Sequence, residues 1–567
     1  MSVQERVMSE IERVTNLPFA HANSEGLAAW LTRPGASITL RPTQAAALAE
    51  LASANGFAGP IGVGHGKTLI ALLAATVLGC ERAIILTRSG ACPQLTDDEI
   101  DARRNFFLRD VTIASYESVS HQKLGDSPVL DLHARGCPDD KLVLVADEAH
   151  ALKDAASNRT RRVMRFLAER PAVRFVALSG TMTSRNIKDF SHLFSMALGQ
   201  GSPVPRPQYH IEHAHFSQCV DADGEPTRQD WAAIEPLWRR YYPGTDVFTT
   251  PLGQRREMAR AIVAHRMAWS LGVHVAAGVS CDASIEITVR SVAVPEVIES
   301  AIDYIRKTGD DLDGLPIFDG LSRDHALRSL ALGYFFRIVW PSAVTDEQKE
   351  AWIGARRHYG YELREEIANF ARQDYDSPGL IEETMRRALA TRAPNSRLEL
   401  AFVEWETQKQ MIQPDREVVW LDAFLVDYVC DFVAKARQPW LIWYEGIPFA
   451  DALRARGLPV YGEDSRPETE DGKRSICVSL DAHTESINLQ RFSRNLILAP
   501  PSSGKKWEQL IGRTHRQNQT ADLISVDVLA HTPELGRSIE SARRDAAYRE
   551  QVSGVPERMC FATWRKI

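Results

Sequence analysis

Two series of short, unbroken apolar runs constrain this chain more than any other feature. The first is RAIILT (residues 82–87), VTIAS (111–115), KLVLVAD (141–147) and VRFVALS (173–179). The second is WLIWY (440–444), SICVSL (475–480), NLILA (495–499) and LISVDVL (523–529). None alternates apolar with polar residues, so each suits a strand buried on both faces, and helical patterns lie between them. Strands of that kind need helices above and below, which is the doubly wound α/β arrangement. The expected fold class is therefore α/β, with one parallel-sheet lobe in residues 38–205 and a second in 411–532. Residues 206–410 read as a mostly helical insertion that ends at the start of the second lobe. It holds one strand-like piece, SIEITVRSVAV (284–294), and breaks at YYPGTD, DGLPIFDG and YDSPG. Residues 1–37 read as an N-terminal helical segment, and 533–567 as a polar C-terminal helix and a short tail.

At 567 residues the chain exceeds what one core holds, so two to four domains are expected. A formal net charge of -7 argues against a protein that coats nucleic acid through bulk positive charge, but leaves room for a local basic cleft. The eight cysteines are scattered with no C-x-x-C pair, which argues against a zinc or disulfide framework and fits a reducing compartment. The first residues are charged, with no apolar signal core, and no run approaches a membrane span. A soluble, cytoplasmic protein with neither zinc nor a membrane partner is expected.

The stretch GPIGVGHGKTLIALLAATVLG (59–79) carries the first chemistry. Gly64, His65 and Gly66 lead into Lys67, Thr68 and Leu69, which open an apolar helix stopped at Gly79. Glycines let backbone N–H groups turn onto phosphate oxygens, and the helix N-terminus adds partial positive charge. The lysine reaches the terminal phosphates and the threonine hydroxyl ligates Mg²⁺. The strict G-x-x-x-x-G-K-[ST] pattern fails at Ile61, so a plain glycine turn is the competing reading. The stretch VLVADEAHALK then puts Asp147 and Glu148 at the end of an apolar strand, the edge where parallel sheets bind ligands. There Asp147 can hold Mg²⁺ through water and Glu148 can orient and polarise the attacking water, the positioning that phosphoryl transfer needs. An acidic helix cap is the bland alternative for these four letters.

Three further matches complete an ordered set: LRPTQ (40–44) before the loop, SGT (179–181) after Asp147, and QLIGRTHR (509–516) in the second lobe. With GVGHGKT and DEAH they resemble the ATPase core of superfamily 2 helicases, and more closely the SWI/SNF-like group of double-stranded DNA translocases. DEAHALKDAASNRT, VTIASYE, LSGTMTSRNIKDF and INLQ…NLILAPP…WEQLIGRTHRQNQ are similar to that group's motifs two, Ib, three, and five with six. The likeness covers about residues 38–200 and 413–530.

The resemblance implies two RecA-like lobes with ATP and Mg²⁺ as cofactors. Arg41 and Gln44 would read the adenine, while Gly64, His65, Gly66, Lys67, Thr68 and Leu69 hold the nucleotide. Lys67, Asp147 and Glu148 would complete the hydrolytic site, Thr68 and Asp147 ligating the metal. Gln509 would close the interface, with Arg513 and Arg516 as arginine fingers. His150, Ser179, Gly180 and Thr181 would couple hydrolysis to movement. Ser115, Tyr116, Asn488 and Gln490 lie on motifs that would meet nucleic acid, expected to be duplex DNA, or the lobe interface. GRTHRQNQTADLISVDVL together with the helix ELGRSIESARRDAAYREQVSG looks like helicases carried by bacteriophages and other mobile elements, which implies a bacterial or phage-infected cell. Replication or recombination proteins are then the expected partners. The chain departs from the family at motif five, where His483, Thr484 and Ser486 replace a glycine-rich approach, at motif Ia (ILTRSGACPQL), and at Thr43, where an aromatic is common. Two other functions stay open: a strand-separating, branch-migrating or RNA-tracking motor, and a nucleotide-gated binding switch with little turnover.

Other stretches read more plainly. WAAIEPLWRRYYPG (231–244) can be a stacking surface for nucleic acid, but packing of its helix on a neighbour is the stronger expectation. RRHYGYELREE (356–366) reads as a solvated helix face. HIEHAH places His210, His213 and His215 together, yet lacks the partners of a metal site.

Overall fold

The computed structural model describes residues 9–61, 65–120, 128–180, 182, 185–273, 281–370, 378–463, 465–484, 487–516 and 519–567. The chain forms two compact units. The first contains residues 1–285, 503–522 and 541–562, and the second contains 286–502, 523–540 and 563–567. The fold class is α/β with two parallel sheets.

The first unit is built on a five-stranded sheet of β1 (Phe57–Pro60), β2 (Arg82–Thr87), β3 (Asp110–Ser115), β4 (Leu142–Asp147) and β5 (Arg174–Ser179), in the order β1-β5-β4-β2-β3. Every neighbouring pair is parallel. The unbroken apolar runs split between two cores by the two-residue period of a strand. Ile84, Leu86, Leu144, Ala146, Phe175 and Ala177 face one core, while Ala83, Ile85, Val143, Val145, Val176 and Leu178 face the other. Both faces are therefore dry. The helix Glu10–Asn16 packs into the same unit through buried Glu10, which accepts hydrogen bonds from Arg13 and Arg206.

The second unit is built on a seven-stranded sheet in the order β10-β11-β9-β12-β13-β6-β14. These are β6 (Ser284–Arg290), β9 (Leu441–Tyr444), β10 (Val460–Tyr461), β11 (Ile476–Ser479), β12 (Arg494–Ile497), β13 (Leu523–Leu529) and β14 (Thr563–Lys566). A separate antiparallel pair joins β7 (Tyr334–Val339) to β8 (Asp415–Trp420).

The strand-like piece in the middle section thus belongs to the second sheet. It lies toward the sheet edge, where Ile285 and Ile287 are buried and Glu286 is not, as its alternation implies. The expected short tail is a strand as well, with Thr563–Lys566 pairing parallel to β6. Among the described residues no helix is long and apolar enough to cross a membrane.

Trp231 and Trp238 are fully buried and stack edge to face, so that stretch packs a helix. In 356–366, by contrast, Tyr359 and Leu363 are fully buried, and only part of that helix faces solvent. His213 bonds Ser191 Oγ at 2.7 Å and His215 pairs with Asp230 at 2.6 Å. No group of three or more metal-binding side chains occurs among the described residues.

Candidate functional site

Four strand ends of the first sheet supply the site, all at its C-terminal edge. After β1 the chain enters α1, the helix Lys67–Val77, through Gly66. Gly66 adopts a left-handed φ of 77°, and a Cβ there would lie 2.1 Å from Gln44 Nε2. The left-handed backbone favours glycine, and a Cβ would in addition push the Gln44 amide aside. Gln44, in the helix Pro42–Ala54, accepts the Arg41 backbone N–H at 2.9 Å and donates to the Gly66 carbonyl at 3.3 Å. The LRPTQ segment is therefore tied to the phosphate-type turn.

Lys67 forms an ion pair with Glu148 at 2.9 Å. Glu148 immediately follows β4 with φ 53°, ψ 51°, a left-handed conformation that costs a non-glycine residue about 1–3 kcal/mol. Among the described residues, only Asn55 and Glu148 have positive φ without being glycine. The strained backbone turns the Glu148 carboxylate toward Lys67 and His150, and His150 Nδ1 lies 3.3 Å from it. Burial works to raise the Glu148 carboxyl, but the Lys67 charge and the hydrogen bonds from His150 and Lys67 prevail and hold it well below its ordinary value. Burial, with the adjacent Glu148 charge, pushes the Asp147 carboxyl up to about 7.

His150 is buried among three partners. Arg88 Nη2 lies 3.2 Å from its Nε2, and Ser179 Oγ 3.2 Å from its Nδ1. Because a guanidinium only donates, Nε2 is the acceptor and the proton sits on Nδ1, facing Glu148 and Ser179. The SGT strand end and the DEAH strand end are thereby linked through one imidazole. Arg88 was not singled out from the sequence. Its one signal was a basic residue directly after the apolar run of β2, within the poorly matching motif Ia.

Tyr116 requires a correction. Its ring is fully buried and its hydroxyl donates to the Asp147 carbonyl at 2.7 Å. It supports the carboxylate strand from behind and presents no surface to a nucleic-acid strand. Ser115, at the end of β3, accepts the Ser118 N–H through its hydroxyl. Asn488 and Gln490 belong to the second unit, where Asn488 is exposed and its Oδ1 accepts the Gln490 N–H at 3.2 Å. His65, Thr68, Leu69 and Gly180 are half-buried near the same strand ends. Gly64, Thr181 and Ser486 lie outside the described residues.

Gln509 and Arg513 lie on the helix Gly504–Thr514, which falls in the first unit together with Arg516. Both are buried, and Arg513 Nε donates to the Gln509 carbonyl at 3.2 Å. Burial lowers the Arg516 guanidinium, and the like charges of Arg558 and Arg41 lower it further. Arg516 and Arg41 thus lie close enough for their charges to act on each other.

A hydroxyl at Thr68 and a carboxylate at Asp147 are hard oxygen donors, the kind Mg²⁺ takes alongside phosphate and water. These residues fit the metal the motifs imply. No protein-family model matches the chain, and a search of curated proteins finds no match for it.

Proposed function

We propose that the chain is an ATP-dependent DNA translocase of the SWI/SNF-like kind, with its two parallel sheets serving as RecA-like lobes. The observation that carries the enzymatic part is the Lys67–Glu148 ion pair beside Asp147, at the sheet edge reached through the Gly66 turn. The nucleic-acid part is carried by the ordered motif set, whose order along the chain matches motors that track duplex DNA.

On this reading Lys67 exchanges Glu148 for the terminal phosphates of ATP. Glu148, ionised and freed from the lysine, orients the attacking water, while His150 holds its other oxygen and reports its state to Ser179. Gln44 and Arg41 bind the base, and Arg513 and Arg516 stabilise the charge that develops on the transferred phosphoryl group. A bound Mg²⁺, held by Thr68 and Asp147, would neutralise phosphate charge. Tyr116 keeps the Asp147 backbone in place. DNA held through its phosphates is expected to bind with strong salt dependence and little sequence preference. Replication, recombination or repair is the setting that fits.

The test is Lys67→Ala in the full chain. ATP turnover is expected to fall by about 10³-fold or more, because the positively charged positioning group is lost. Unchanged turnover in a folded Lys67→Ala protein would remove the site assignment.

A further inference from the structure

The helix that carries Gln509 and Arg513 is secured at both ends by the C-terminal segment, outside every motif. Call it α2 (Gly504–Thr514), followed by α3 (Pro533–Ser553) and α4 (Arg558–Phe561). At its start, a Cβ on Gly504 would lie 2.6 Å from the Ala542 carbonyl oxygen and 2.8 Å from the Ala546 nitrogen. The first turn of α2 therefore rests directly on the backbone of α3. At its end, Arg558 grips two residues at once. Its backbone N–H donates to Glu508 Oε2 at 2.9 Å and its guanidinium pairs with the same carboxylate. Its Nε donates to His515 Nδ1 at 3.1 Å and its Nη2 to the His515 carbonyl at 2.9 Å. Since Nδ1 accepts, His515 Nε2 carries the proton and donates to the Ala283 carbonyl at 2.9 Å. Ring, carbonyl and helix end are all fixed, and the next residue is Arg516.

The clamp has its own foundation in the first unit. Tyr548 and Val552 are buried in one of the two cores of the five-stranded sheet. Arg260 lies 4.8 Å over the Tyr548 ring and donates to Gln551 at 3.0 Å. Arg549 pairs with Glu557, and the Glu557 N–H donates to Glu550 at 2.8 Å, which ties α4 to α3. Apolar packing would hold a helix with less desolvation cost. A guanidinium bonded along several edges fixes direction as well as contact.

We infer that Arg558 is a positioning residue for Arg516, and that residues 541–562 form a built-in clamp that aims the arginine-bearing helix of the ATP site. This rests on the proposed function, since it names what that site needs in order to turn over. Arg558 acts on Arg516 through His515 and α2.

The experiment uses the full chain and four variants: Arg558→Lys, Arg516→Lys, both together, and the pair Glu508→Gln with Arg558→Met. Thermal unfolding, kcat and the KM for ATP are measured for each. Lysine keeps the charge for Glu508 but cannot fork onto His515. Arg558→Lys is expected to lower kcat by about 10–100-fold while KM for ATP changes less than about threefold. Adding Arg558→Lys to Arg516→Lys is expected to cost nothing further, because the clamp works through Arg516. The Glu508→Gln, Arg558→Met pair removes both buried charges together, so it remains folded and reproduces the kcat loss. A wild-type kcat in Arg558→Lys, or losses that multiply in the combined variant, would overturn the inference alone. Wild-type protein without ATP turnover would overturn the proposed function beneath it.

Discussion

Substituting the two glycines that bracket the helix Lys67–Val77 separates what the phosphate-type turn owes to backbone freedom from what it owes to Gln44. Gly66 precedes the helix with φ 77° and Gly79 follows it with φ 64°. Alanine at either position must adopt a left-handed conformation, at about 1–2 kcal/mol. At Gly79 a Cβ meets nothing within 4 Å, so the backbone cost is the whole cost. At Gly66 the Cβ would sit 2.1 Å from Gln44 Nε2 and 3.2 Å from its Cδ. Gln44 is displaced and its bond to the Gly66 carbonyl is lost, adding about 1 kcal/mol. Gly66→Ala is therefore expected to destabilise by about 2–3 kcal/mol, against about 1–2 kcal/mol for Gly79→Ala. Urea unfolding compares the two midpoints, and titration with a fluorescent ATP analogue compares affinities. Gly66→Ala is expected to weaken binding while Gly79→Ala does not. A Gly66→Ala protein as stable as Gly79→Ala, with nucleotide affinity intact, would refute the packing of Gln44 against the turn.

Two further predictions concern buried groups. Burial pushes the Asp221 carboxyl from 3.8 to about 7, although it accepts the Ile187 N–H at 2.6 Å. The native state then holds its proton more tightly than the unfolded chain does, so this group's stability contribution is present below about pH 4 and lost as pH rises to about 7. Asp221→Asn keeps the acceptor for Ile187, and unfolding measured from pH 5 to 8 is expected to show a flatter slope and a gain above pH 7 of at most about 4 kcal/mol. An unchanged slope would refute that environment. Tyr116→Phe removes the donor to the Asp147 carbonyl and is expected to cost about 1–2 kcal/mol in denaturant unfolding, with DNA affinity unchanged in a filter-binding assay. A selective loss of DNA binding would restore Tyr116 as a surface contact.

Much of both parallel sheets was legible because their central strands are apolar on both faces. RAIILT and LISVDVL match β2 and β13 at both ends. What was not legible is short or depends on distant partners. β1 is four residues, FAGP, containing glycine and proline, and it exists through its pairing with β5. β14 carries one aromatic among polar residues and is a strand only beside β6. The same holds at the site. Lys67, Asp147, Glu148 and His150 announce themselves through local spacing, and the structure brings them within reach of one another. The burial of Tyr116 behind Asp147, the bond from Arg88 to His150 and the clamp at Arg558 join residues 31, 62 and 43 positions apart. No local pattern encodes those meetings.

The central claim is tested most directly by the steady-state ATPase rate of the full chain with no nucleic acid, single-stranded DNA, duplex DNA and RNA, with Glu148→Gln as the blank. The account predicts turnover stimulated most by duplex DNA, reduced by salt and absent from Glu148→Gln. Stimulation chiefly by single strands or RNA would contradict the duplex track, and no turnover with any of them would contradict the motor itself.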